Sequence, residues 1–264
     1  MAVRTSLLRR SPRGKVAANR PVPNIDGVPV EGDLLLGLSS NECDSIFPKL
    51  IFLPLRTHDV LREPGEPIKF GYFMNRGLTS VLSVMKDGKS VEVGLIGKEG
   101  FVGCPLLVGL STSPTRAVIQ IEGSGFRIAA ADLEHALRDC PVLERRLQRF
   151  VQSMAMQGTQ VAACNRLHEV DERLARWLLM SQDRIGSAIV PLTQELLGHM
   201  LGTRRSSVTV AAGILQKAGL ITYTRGSVKI EDRPALMNAA CECYESMLEQ
   251  TRNWESESSQ SISV

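Results

Sequence analysis

The sequence predicts an α+β chain in three parts: an N-terminal antiparallel β-roll, one long helix, and a C-terminal helix-turn-helix followed by a hairpin wing. Three observations carry this expectation. Short β-type runs alternate with turn residues from Ile51 to Ile128. Apolar residues then step by four and three from Leu143 to Cys164, and two short amphipathic helices flank Gly202 ahead of two alternating strands.

In chain order, residues 1–30 carry Arg4, Arg9, Arg10, Arg13, Lys15 and Arg20, with Pro12, Pro21 and Pro23, and no acid before Asp26. That composition predicts a disordered basic arm. Residues 31–139 form the roll domain, with one or two short helices between Leu34 and Leu50. Its runs IFLPL, KFGYFM, SVLSVM, VEVGLIG, AVIQIE and FRI are divided by Pro64-Gly65, Arg76-Gly77, Asp87-Gly88 and Gly123, each read as a turn. A short helix from Ala130 closes the domain.

Residues 140–168 form the long helix, with Pro141 in its first turn. Leu143, Leu147, Phe150, Met154, Gln157, Val161 and Cys164 make a heptad-like seam, read as a two-stranded dimer interface. Residues 169–250 begin with a helix capped by Asp171 and running to about Gln182. Next come Thr193 to Leu201, with Thr193 as N-cap, and a second helix from Arg204 to Lys217 whose stripe is Val208, Ala211, Ala212 and Leu215. Gly219 stops that helix. The wing strands, Leu220–Tyr223 and Ser227–Ile230, flank Thr224-Arg225-Gly226. A last helix starts at Pro234, and residues 251–264 read as a disordered tail.

The charge of the C-terminal stretch points to nucleic acid. No Asp or Glu occurs from Leu196 to Ile230, whereas Arg204, Arg205, Lys217, Arg225 and Lys229 are basic. The net charge of the chain is only +3, so this basicity is local. The second helix of the pair presents Arg204, Arg205, Ser206, Ser207 and Thr209, a set that suits a major groove. Arg205 is the candidate for base readout, with Ser206, Thr209 and Val210 shaping specificity. Thr193, Thr203, Arg204 and Ser207 position the DNA backbone, joined by Arg225 in the wing. Double-stranded DNA is the expected partner.

The stretch LTQELLGHMLGTRRSSVTVAAGILQKAGLI resembles the winged helix-turn-helix of the Crp–Fnr family of bacterial regulators, and VLREPGEPIKFGYFMNRGLTSVLSVMKDGKSVEVGLIGKEGFVG resembles that family's effector roll. The resemblance implies a cyclic-nucleotide-binding-like jelly roll, a homodimer on a palindromic operator, contact with RNA polymerase, and a cytoplasmic, non-enzymatic regulator. Where the family's recognition helix often reads Arg-Glu-x-x-x-Arg, Arg205 keeps the first Arg while Ser206 and Val210 replace the others. For the effector site it implies Gly103, Cys104, Arg116 and Thr159. Cys104 stands where cyclic-nucleotide binders place a Glu for the ribose. Losing one charge-assisted hydrogen bond costs about 1.5–3 kcal/mol, so Cys104 disfavours a cyclic nucleotide as cofactor.

Other functions lack their residues. No run of eighteen apolar residues predicts a membrane span. The six cysteines lack a CxxC pair and the four histidines look isolated, so no metal site is expected. No phosphate-binding loop or catalytic triad stands out. The rival reading is a cyclic-nucleotide-binding signalling module whose helix-turn-helix contacts protein partners. Steep salt dependence would favour DNA.

Overall fold

The computed structural model describes residues 22–192 and 194–260. A two-stranded ribbon, β1 (Asn24–Ile25) and β2 (Val28–Pro29), opens the described chain. Residues 1–21 of the expected arm lie outside the described residues. Its last part is folded, because Ile25 and Val30 are buried in the roll core. Helices α1 (Asp33–Leu36) and α2 (Ser40–Ile46) follow, the second started by a capping box between Ser39 and Glu42.

The roll comprises β3 (Ile51–Leu55), β4 (Val60–Arg62), β5 (Phe70–Val84), β6 (Ser90–Ile96), β7 (Phe101–Val102) and β8 (Thr115–Ala129). The main path runs β3-β8-β5-β6, with β4 on β8 and β7 on β5, and every pairing is antiparallel. Asp87-Gly88 turns β5 into β6 as its sequence demands. Arg76-Gly77 and Gly123 do not turn the chain, however. Each lies inside a 15-residue strand, at a shift in the β5–β8 register. Gly77 has φ +89, and a Cβ on Gly123 would lie 2.1 Å from the Arg76 carbonyl oxygen. Here glycine serves a bulge and a close backbone approach.

Helix α3 (Ala130–Asp139) leads into α4 (Pro141–Leu167). The seam on α4 is buried, but within its own chain, which corrects the expectation of a dimer interface there. Leu143, Leu147 and Phe150 enter the roll core, and Cys164 enters the C-terminal core. Gln157 binds the Leu95 backbone on β6 from both amide atoms. Heptad spacing marks a buried stripe without saying what buries it.

The C-terminal part contains α5 (Val170–Ile185), β9 (Ile189–Pro191), α6 (Gln194–Met200), α7 (Arg205–Lys217), β10 (Ile221–Thr224), β11 (Ser227–Ile230), α8 (Arg233–Ala239) and α9 (Cys243–Gln260). Glu169, not Asp171, caps α5, through a capping box with Glu172. The tail expected from 251 is helical to Gln260. Strand β9, unforeseen in the sequence, pairs with β11 and makes the wing three-stranded.

The two hydrophobic clusters do not divide where the chain does. Leu78, Leu82, Leu95 and Ile121 of the roll pack with Trp177, Leu197, Met200 and Leu215 of the C-terminal part. Polar ties cross the same boundary. Trp177 Nε1 donates to Glu92 (2.8 Å), and Arg184 Nε donates to Glu99 (2.9 Å).

Candidate nucleic-acid interface

Helices α6 and α7 meet through two glycines. Gly202 has φ +58, a left-handed conformation that ends α6 without a Cβ penalty. Its Cβ would also meet Val91 of the roll at 2.8 Å. Gly198 lets the start of α7 approach, since a Cβ there would stand 3.2 Å from the Thr203 carbonyl. Val208, Ala211, Ala212 and Leu215 are buried against α5 and α6, which fixes what α7 turns outward.

Outward lie Arg204, Arg205, Ser206, Thr209 and Val210, all exposed, with Val210 64% accessible. Ser207 and Thr203 are half-buried beside them. Thr193 lies outside the described residues. Among the described residues neither Arg204 nor Arg205 has an acidic partner. Among the described residues no side chain caps α7, which leaves first-turn amides open at the end of the helix that carries the arginines. The Thr209 hydroxyl donates to the Arg205 carbonyl at 3.0 Å. At the wing, Arg225 is exposed on a two-residue turn completed by Gly226 (φ +90). Lys229, counted with the basic set, is answered by Glu231 at 2.7 Å. Gln216 accepts from the Tyr223 amide (2.9 Å), tying α7 to the wing.

The four effector residues are each satisfied locally. Gly103 (φ +133) precedes a 3-10 turn at Cys104–Val108. Cys104 Sγ points at the Phe101 carbonyl (3.6 Å), and burial pushes its thiol up to about 11, away from the thiolate of a reactive cysteine. Arg116 Nε donates to Glu63 (2.8 Å). The Thr159 hydroxyl donates to the Ala155 carbonyl of its own helix (3.0 Å). None of the four lines the cleft of about 350 Å³ between α4, α5 and α9, where Met154, Gln157, Met180, Arg184 and Tyr244 meet.

A second constellation went unseen in the sequence. Cys164, His168, Cys241 and Cys243, read as scattered residues, bring their ligand atoms within 4.8 Å of one another. The available signals were the i, i+4 pair Cys164/His168 and the Cys241-Glu242-Cys243 run.

Residues 172–239 match the family described as the Crp-like helix-turn-helix domain. Sequence comparison with the curated proteins gave no match. Among solved structures, FixK2 from Bradyrhizobium japonicum is similar with a TM-score of 0.63 at 17% identity, over 73% of this chain and 98% of that one. A putative transcriptional regulator of the crp/fnr family from Eubacterium rectale gives 0.62 at 14%, over 78% and 97%. The c-di-GMP-responsive global regulator CLP of Xanthomonas campestris gives 0.62 at 16%, over 74% and 100%.

Proposed function

From a chain that carries a Crp-like helix-turn-helix domain on the Crp/Fnr fold, we propose a homodimeric transcription regulator that reads a palindromic DNA operator. The observation that carries this reading is the outward end of α7: basic, acid-free, uncapped and held in place by a buried stripe. Arg205 reads a guanine through its O6 and N7 acceptors, and Val210 meets a thymine methyl. Ser206 and Thr209 border these contacts. Thr203, Arg204, Ser207, Arg225 and the first-turn amides of α7 hold phosphates, which fix register without reading sequence.

The dimer forms through the other face of α4. Val151, Ala155, Thr159 and Ala162 are exposed there at helical spacing, opposite the buried seam. Small side chains at three of the four positions let two helices approach closely. The two copies of α7 then enter successive major grooves about 34 Å apart. RNA polymerase is the partner a regulator so placed on DNA would meet, in the cytoplasm.

Selection of bound sequences from a random DNA pool, with purified full-length protein, tests this reading. A two-fold symmetric site with half-sites one helical turn apart is expected, with affinity falling steeply as salt rises. No enrichment, or retention insensitive to salt, would sink it.

A further inference from the structure

We propose that Cys164, His168, Cys241 and Cys243 form a closed, four-coordinate zinc(II) site that fastens the end of α4 to the α8–α9 junction. The site lies behind the helix-turn-helix, separate from the DNA-reading surface. Cys164 and His168 come from one turn at the end of α4, and Cys241 and Cys243 from the segment that joins α8 to α9.

Ligand spacing is the first argument. A tetrahedral ion with Zn–S bonds of about 2.3 Å and a Zn–N bond of about 2.0–2.1 Å sets its ligand atoms roughly 3.5–3.8 Å apart. Cys164 Sγ and Cys241 Sγ are 3.5 Å apart, as are Cys243 Sγ and His168 Nδ1. All four ligand atoms fall within 4.8 Å, which leaves room for one ion and not for a polynuclear cluster. The sulfurs also stand well outside the ~2.05 Å of a disulfide.

The surroundings supply the second argument. Gln160 Nε2 donates to Cys243 Sγ at 3.1 Å, a bond that stabilises a thiolate. With His168 Nδ1 facing the sulfurs, its Nε2 lies 3.9 Å from the Glu242 carboxylate, where a ligating imidazole needs an acceptor. Cys164, Cys241 and Cys243 are buried, and His168 is half-buried at the edge, giving an ion a way in.

Charge is the third. Arg173 and Arg176 are 6% and 3% exposed, and the Nε of each lacks a hydrogen-bond partner among the described residues. Both lie in the electrostatic field of these sulfurs. One zinc(II) held by three thiolates and a neutral imidazole carries a net charge of −1. That gives the buried guanidiniums an anion. On binding, the three thiol protons leave to solvent. With three sulfurs and one nitrogen the set is soft enough for zinc and leaves no position open for a substrate, as structural sites require.

The test is elemental analysis of reduced, full-length protein grown with zinc, followed by replacement of zinc with cobalt(II). About one zinc per chain is expected, and the cobalt form should show sulfur-to-metal charge transfer with the intense visible bands of a tetrahedral site. Cys241→Ser, Cys243→Ser and His168→Ala should each lower the metal content, whereas Cys43→Ser and Cys104→Ser should keep it. A wild-type protein without stoichiometric metal and with a featureless cobalt spectrum would overturn the site. Neither readout involves DNA.

Discussion

The outward end of α7 and the boundary between roll and helix-turn-helix treat charge in opposite ways. At the boundary Glu92 and Arg184 find their partners inside the chain. Glu92 accepts from Ser80 (2.6 Å) and Trp177 (2.8 Å), and Arg184 is held by Glu99. At the end of α7, Arg204 and Arg205 stand exposed, with no acidic partner among the described residues. Buried polar groups left unpaired are expensive, so Glu92 and Arg184 are paired within the fold. Exposed arginines are cheap to leave open, and opening them is useful only when a partner brings the anions. The same chain therefore separates charges that hold it together from charges kept for something else.

The largest test strikes the inner set. Trp177 is 1% exposed and sits in the cluster shared by both parts. Trp177→Ala should cost about 3–5 kcal/mol through the cavity it leaves. Because the cluster is shared, urea should unfold roll and helix-turn-helix in a single transition at a lower midpoint. Two separate transitions, with the roll unaffected, would break the comparison at its root.

Glu92 gives the next effect, through pH. Burial raises its carboxyl from an ordinary 4.5 to about 7, despite the bonds from Ser80 and Trp177. A carboxyl with a raised folded-state value favours the fold fully below 4.5, and that contribution is lost as pH climbs from 4.5 to about 7. The difference across the window is about 3 kcal/mol. Urea midpoints at pH 5 and pH 8 should differ accordingly, and Glu92→Gln should remove most of the difference. An identical pH profile in the variant would show that Glu92 is not desolvated as its surroundings imply.

Arg205→Ala addresses the outer set. It should cost about 1–3 kcal/mol of DNA affinity and relax one base position. Stability should stay within about 0.5 kcal/mol, because the exposed side chain bonds to no group among the described residues. Lost stability with unchanged base preference would move Arg205 to the inner set.

How far these roles could be read in advance depended on how local the signal is. The α6–Gly202–α7 turn, the Gly219 stop and the Asp87-Gly88 hairpin were legible because each is written within a few residues. Gly77 and Gly123 were misread because glycine marks a turn and a bulge alike, and only the paired strand decides. The α4 seam announced burial, but whether the roll or a second subunit covers it is a tertiary fact. The cysteine–histidine constellation joins positions 77 residues apart and uses a one-residue spacing at Cys241 and Cys243, so a search for CxxC passes over it.

Arg116 carries the smallest effect and decides whether the roll corner belongs with the inner set or the outer. Its ion pair with Glu63 is partly exposed, at 38% and 33% for the two side chains. Solvent screening limits such pairs to about 0–1 kcal/mol, so Arg116→Ala should barely move the urea midpoint. That small loss is uninformative by itself. The informative measurement is calorimetric titration of the wild-type protein with cyclic AMP. With Glu63 on the guanidinium and a neutral Cys104 in place of a carboxylate, no micromolar binding is expected. Micromolar binding that Arg116→Ala abolishes would mean that an external phosphate outcompetes Glu63. The roll corner would then be a second place where this chain keeps an arginine for a partner.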